Sequence, residues 1–385
     1  MGISFQFATS TQIIFENGSF TKVPGFIKNL GSKVLIVSGK NKTLTNQLSG
    51  WLKNTDFKFE IFTINSEPTT HDIEKGTLHA QKTCCNVVAG VGGGSVIDSA
   101  KAIAALATNK GQLTDYLEVI GKGEKLEKAP LPCIAIPTTA GTGAEVTKNS
   151  VIKSTKHNVK VSLRSDLMFP AIAVIDPELT LTMPPEITAI TGIDALTHLL
   201  ETFVSCQSNP FIDMICREGM TRISISLERA FLDGSDLEAR ENMAMASMLG
   251  GMALANVKLG AVHGFAGPLG GMFPIPHGAV CACLLPAVME VNISVIKEKK
   301  LEAQLQKFDE VARILTKNSL AHAVDGAKWI NEMVKKLKIP SLSDFYLTPE
   351  MFPEIIEKAR NSSSMKGNPV ELEQSRLFEI LNKSL

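Results

Sequence analysis

The sequence predicts an α/β domain with a parallel sheet over residues 1–184, followed by an all-helical domain over residues 185–385. Three observations lead there. The chain has 385 residues, long enough for two domains at roughly 150 residues each. In its first half, short β-branched runs alternate with helical stretches, the pattern of parallel strands joined by crossover helices. After Pro184 and Pro185 the apolar residues fall at helical spacing from Glu186 to Leu259, and Ala, Met, Leu and Glu dominate.

Taken in order, KVLIVSG from Lys33 reads as a strand ending in Gly39, residues 43–54 as a helix, and FKFEIFTI from Phe57 to Ile64 as a strand. Residues 72–82 read as a helix. NVVAGVGGG reads as a buried strand running into a glycine loop, and SVIDSAKAIAAL as the helix that follows. LPCIAIP and AIAVIDP supply two more strands, each closed by proline. In the second half, LGAVHGFAGPLGGMFPIPHGAV is rich in glycine and proline, and reads as loops or helix ends interrupting the helical pattern.

Composition narrows the function classes. Lys+Arg and Asp+Glu balance at 39 each, which gives no electrostatic reason to expect nucleic acid or an anionic membrane surface as partner. Seven cysteines with no C-x-x-C pair do not suggest a disulfide framework, so a reducing, cytoplasmic setting is expected. The first residues show no secretory pattern, and no run of 18 or more apolar residues occurs. The adjacent Cys84 and Cys85 read as buried small hydrophobes.

Three segments carry chemistry. Gly92-Gly93-Gly94-Ser95 lies between a strand and a helix, where the backbone can approach a pyrophosphate and the helix N-terminus favours an anion; Ser95 either caps that helix or bonds a phosphate oxygen. The bland alternative is a tight turn. A second loop, Pro137-Thr138-Thr139-Ala140-Gly141-Thr142, again follows a strand and offers hydroxyls at the carboxyl end of a sheet, where open α/β sheets bind ligands. Finally, Asp194 and His198 are four apart on one helical face, and His263 and His277 follow in the glycine-rich stretch. One carboxylate with three imidazoles suits Fe2+ or Zn2+ rather than Mg2+ or Ca2+; unrelated core and surface histidines are the alternative.

Together GGGSVIDSAK (92–101), IPTTAGTGAEVT (136–147), DPELTLTMPPEITAITGIDALTHLLETFVS (176–205) and the PHG-containing stretch resemble the iron-containing, group III alcohol dehydrogenases. The resemblance runs in order from about residue 5 to 380. It implies a dehydroquinate synthase-like arrangement: a dinucleotide-binding α/β domain, a helical metal domain, and a cleft holding a divalent metal (Fe2+ or Zn2+) and the nicotinamide of NAD(P). Carried over by motif, Asp194, His198, His263 and His277 are the implied metal ligands. Gly93, Gly94 and Ser95 match the pyrophosphate loop, and Asp98 its support. Thr138, Thr139, Thr142 and Lys160 match cofactor-contacting positions. The resemblance also implies a small alcohol or carbonyl substrate and a homodimer or larger assembly.

Two positions depart from the pattern. Where many members carry a histidine four residues after the third ligand, this chain has Gly267, which has no side chain to relay a proton. At the end of the first strand read here, Val37-Ser38-Gly39-Lys40 replaces an aspartate that accepts from the adenosine ribose. Without that carboxylate a 2′-phosphate meets less repulsion, so Gly39 marks a site where NADP(H) is expected to be accepted. Glycerol dehydrogenase, maleylacetate reductase and hydroxyacid-oxoacid transhydrogenase activities share the architecture and are the alternatives. A non-catalytic nucleotide-binding module is the reading from a different class.

Overall fold

A computed structural model describes residues 4–385, and the chain separates into two compact units. One comprises residues 8–139 and 143–180. The other takes in residues 181–385 together with residues 4–7 and the short segment Ala140–Thr142.

The first unit holds eight strands: β1 (Gln12–Phe15), β2 (Lys33–Ser38), β3 (Lys58–Thr63), β4 (Val87–Gly92), β5 (Cys133–Pro137), β6 (Asn149–Ser154), β7 (Val159–Arg164) and β8 (Ile172–Ile175). Six form one parallel sheet in the order β1-β8-β5-β4-β2-β3, while β6 and β7 pair as a separate antiparallel hairpin. Helices α1 (Val23–Leu30), α2 (Thr43–Lys53), α3 (Thr70–Lys82) and α4 (Gly94–Thr108), with the single turn α5 (Leu113–Tyr116), make the crossovers. Burial on both faces explains the continuous apolar strands. In β2, Val34 and Ile36 join a core with Ile27, Leu48 and Leu52 on one side. Leu35 and Val37 join Ala100, Ile103 and Ala104 on the other, as the two-residue strand period requires.

Two elements lie outside the expectations from sequence. The strand β1 precedes the run at Lys33, so the glycine loop follows the fourth strand of the chain and not the third. The hairpin β6–β7 occupies a polar segment that alternation only weakly marks. Of the cysteine pair expected to be buried, Cys85 is buried, but Cys84 is exposed.

The second unit is helical: α6 (Pro185–Val204), α7 (Pro210–Leu232), α8 (Leu237–Asn256), α9 (Ala261–Met272), α10 (His277–Glu298), α11 (Glu302–Thr316), α12 (Ala323–Lys336), α13 (Phe352–Arg360) and α14 (Gln374–Lys383). Small residues let its helices approach closely. A Cβ on Gly192 would stand 2.2 Å from Leu227 Cδ1, and one on Gly219 2.6 Å from Leu199 Cδ1, so α6 packs against α7 with glycine at the contact. Among the described residues two helices, Pro185–Val204 and His277–Glu298, are long and apolar enough to cross a membrane, yet 83% of the 18-residue apolar window in each is buried inside the protein. Apolar residues all round mark a helix enclosed by its own fold.

The glycine- and proline-rich stretch is a correction. Its composition suggests loops or helix ends, but most of it is helix, with Pro268 inside α9 and non-helical residues at 259–260 and 273–276, so that both histidines fall in helix first turns. That arrangement puts His263 in the first turn of α9 and His277 at the first position of α10.

Candidate metal centre and nucleotide loops

Asp194 and His198 lie one turn apart on α6, and both are almost wholly buried, at 1% and 4% exposure. The first turns of α9 and α10 bring His263 and His277 to the same point. Asp194 Oδ1 lies 3.9 Å from His198 Nε2, 3.6 Å from His263 Nε2 and 3.8 Å from His277 Nε2. It has no hydrogen-bond partner. A buried carboxylate oxygen ringed by three ring nitrogens, each too far for a hydrogen bond, is costly unless something positive sits among them. Donors about 2.0–2.2 Å from one ion stand roughly 3.3–3.6 Å apart in a tetrahedron. The observed separations are slightly wider, so the donor set fits a divalent cation.

Electrostatics agree with that fit. Burial opposes charge on Asp194, but His198, His277 and His263 around it hold its carboxyl below the usual range. Burial pushes His198 down to about 4, so its ring is neutral at pH 7 and its lone pair is available to a metal.

The residues behind this cluster carry no motif of their own. Glu201, 3% exposed, accepts His263 Nδ1–H at 2.7 Å, and the backbone N–H groups of Val262 at 2.7 Å and His263 at 3.4 Å. It therefore caps α9 and favours the His263 proton on Nδ1, which makes Nε2 the nitrogen available to a cation. Asn368 Oδ1 accepts from Ala261 N–H at 3.1 Å and is paired with Asn292. Cys281, one turn after His277 on α10, places Sγ 3.7 Å from His263 Nε2 and 3.8 Å from His277 Nε2. Burial pushes its thiol up to about 12. A side chain at Gly267 would meet nothing within 4 Å of its Cβ, so the missing histidine leaves open space.

On the sheet, the loops after β2, β4 and β5 lie at the carboxyl ends of three adjacent strands. Gly93 is the N-cap of α4, extended and without a side-chain cap, so Ser95 does not cap the helix; the Val96 and Ile97 N–H groups donate to Gly93 O at 2.9 and 3.2 Å. The glycines bring α4 against the sheet: a Cβ on Gly90 would stand 2.8 Å from Ala100 Cβ. Thr138 N–H donates to Gly92 O at 3.1 Å, and the Thr139 side chain lies 3.4 Å from where a Cβ on Gly93 would be. Gly39 lies 3.6 Å, measured the same way, from Val96 Cγ2. Gly94 and Ser95 form the first turn of α4. Thr142 belongs to the helical unit.

Two further candidates are engaged elsewhere. Lys160, on β7, pairs with Glu67. Asp98, expected to support the glycine loop, instead bonds Lys101 Nζ at 2.9 Å and accepts Val151 N–H at 3.0 Å, tying α4 to the hairpin.

The buried Lys101 also bonds Thr147 Oγ1 and Ala144 O. Next to it Glu145 is 3% exposed, and burial raises its carboxyl to about 7 against the pull of its own backbone N–H and of Lys101. A raised folded-state value means the folded protein holds the proton more tightly. Stability from this group is full below about 4.5 and lost as pH rises to about 7. Glu145→Gln should therefore stabilise the protein above pH 7 by about 3 kcal/mol at most and leave it unchanged near pH 4.5, as measured by unfolding across that range.

A parallel sheet with glycine and threonine loops at its carboxyl edge, in a chain that also buries one aspartate among three histidines, defines the class of metal-dependent, dinucleotide-using dehydrogenases. Two family profiles match: iron-containing alcohol dehydrogenase over residues 10–177, and the C-terminal part of the Fe-containing alcohol dehydrogenase family over residues 188–385. Alcohol dehydrogenase 4 of Saccharomyces cerevisiae is 34% identical over 376 residues, covering 96% of each chain. Among solved structures, 1,3-propanediol oxidoreductase superposes with a TM-score of 0.92 at 30% identity, covering 99% of this chain and 100% of that one. Sulfoacetaldehyde reductase from Bifidobacterium kashiwanohense, in complex with NAD+, gives a TM-score of 0.88 at 27% identity, covering 100% and 99%. The chain belongs to the iron-containing alcohol dehydrogenase family, and is an NAD-dependent oxidoreductase acting between alcohols and carbonyl compounds.

Proposed function

We propose that the protein interconverts a small primary alcohol or diol with its aldehyde, with Asp194, His198, His263 and His277 holding one divalent ion. The observation that carries this reading is the orphaned Asp194 Oδ1 among three imidazole nitrogens. Relatives named for 1,3-propanediol and 4-hydroxybutyrate support a short, polar substrate, and one named for long-chain alcohols places a longer alcohol on the test panel. When bound, the ion supplies Lewis acidity toward a hydroxyl or carbonyl oxygen, and the nicotinamide accepts or returns hydride.

The chain's own share is electrostatic and positional. Asp194 brings one negative charge to the point where the three imidazoles meet, which favours a divalent ion there. Glu201 keeps the His263 ring aimed, and Asn368 with Asn292 keeps the first turn of α9 in place. The Gly93–Ser95 turn offers N–H groups at a helix N-terminus to a pyrophosphate, with Thr138 and Thr139 as hydroxyl donors, while Thr142 is assigned by its motif alone. Lys160, paired with Glu67, is assigned to the cofactor side by its motif alone. Seven free thiols fit a reducing, cytoplasmic setting. An alcohol, diol and oxoacid panel, read by NAD(P)H absorbance, tests the assignment. Turnover of alcohols and diols is expected; turnover of oxoacids alone would replace it with one of the related activities.

The cofactor choice includes NADP(H). Lys42 Nζ bonds Ser38 Oγ at 2.9 Å and also Thr63 Oγ1, at the carboxyl ends of β2 and β3 beside Gly39. There it can meet a 2′-phosphate beside Gly39, which has no side chain to oppose it. A charge-assisted hydrogen bond is worth about 1.5–3 kcal/mol. Lys42→Ala should therefore lower kcat/KM for NADP+ by about tenfold or more while leaving that for NAD+ nearly unchanged. Equal losses with both cofactors would assign Lys42 to the sheet edge alone.

A further inference from the structure

The metal cluster contains more donors than the four already assigned. Cys281 is wholly buried, and its Sγ faces the two imidazole nitrogens that also face Asp194, at 3.7 Å from His263 Nε2 and 3.8 Å from His277 Nε2. One ligand atom from each of Asp194, His263, His277 and Cys281 lies within 4.8 Å of the others. A sulfur about 2.3 Å and a nitrogen about 2.0–2.1 Å from one five-coordinate ion, at angles of about 90–120°, stand roughly 3.1–3.8 Å apart. The observed spacing is close to that and too long for a strong hydrogen bond. Asp194 Oδ1, 1% exposed and without a hydrogen-bond partner, is turned into the same space.

We propose that Cys281 is a further metal ligand and that its thiolate biases the centre toward Zn2+ over Fe2+. The proposal rests on the metal-centre reading above. The sequence explains the placement: Cys281 follows His277 by four residues on α10, so both project from one face of the helix. Binding breaks the S–H bond, forms the sulfur–metal bond, and releases one proton to solvent. Thiolate donors favour zinc, whereas an oxygen- and imidazole-only set is more permissive toward iron. With Asp194 the site then carries two negative charges, which balance a divalent ion.

Cobalt-loaded protein gives a direct test, because a cysteine thiolate bound to Co2+ produces a charge-transfer absorption in the near ultraviolet. Wild type should bind one Co2+ per chain and show that band. Cys281→Ser and Cys281→Ala should still bind cobalt and lose the band, and the Zn2+-over-Fe2+ preference measured by competition under anaerobic conditions should fall about tenfold or more. Full cobalt occupancy in wild type without the band, or the same band in both variants, overturns the proposal and leaves the four-ligand centre standing. Wild type that binds no cobalt contradicts the metal-centre reading itself, and this proposal falls with it.

Discussion

Asp194→Asn is expected to give a folded protein that no longer retains a divalent ion and whose turnover falls by at least about a thousandfold. The substitution keeps the shape and one oxygen but removes the carboxylate that faces all three imidazoles. Loss of residues that merely support a ligand costs about 10–100-fold in metal affinity, so loss of the charged ligand should exceed that. Several kcal/mol of Lewis-acid stabilisation go with the ion, and each 1.4 kcal/mol is about a tenfold rate. The fold should survive, because Asp194 Oδ1 makes no hydrogen bond whose loss would be felt. Elemental analysis beside a thermal unfolding curve checks both halves. A metal-replete Asp194→Asn protein would contradict the assignment.

Glu201 is expected to show two separable effects. Glu201→Ala removes the acceptor for the His263 ring and for the Val262 and His263 N–H groups, leaving buried donors at the start of α9 unpaired. Breaking a buried charged interaction of this kind costs about 3–5 kcal/mol. Glu201→Gln keeps the size and one acceptor oxygen, so most of that stability should remain. Its amide cannot accept from both the helix and the ring, which removes the carboxylate that holds the proton on Nδ1. The ring can then place its proton on Nε2, the atom facing Asp194, and metal affinity should fall about 10–100-fold. Titration with Zn2+ and denaturant unfolding on both variants separates tautomer from stability. Unchanged affinity in both would reduce Glu201 to a helix cap.

Much of the fold is legible in the sequence because its signals are local. Strands buried on both faces, such as β2 and β4, are unbroken apolar runs, and the glycine turn into α4 follows directly. The strand β1 is only four residues long and half-exposed, so its pattern is faint. Glycine and proline in 260–276 suggest breaks, but Pro268 sits inside α9 and the glycines serve close packing: a Cβ on Gly264 would stand 2.8 Å from Met365 Cε.

The four clustered side chains can be picked out by residue type and by resemblance, while the arrangement that supports them is harder to see. Glu201 continues the 194, 198, 201 face of α6, and Cys281 lies one turn beyond His277, so helical spacing contains both signals. The contacts of Asn368 with Asn292 and with Ala261 N–H span 76 and 107 residues, and no local pattern announces them. Asp98 and Lys160 match by motif but spend their charges on Lys101 and Glu67.

The most direct test of a metal-dependent dehydrogenase is to strip the protein with a chelator, confirm zero metal, and follow NAD(P)H formation with an alcohol before and after adding Fe2+ or Zn2+. Turnover should vanish with the ion and return in proportion to occupancy, saturating at one ion per chain. Metal-free protein that oxidises the alcohol as fast as the reloaded form would contradict the account.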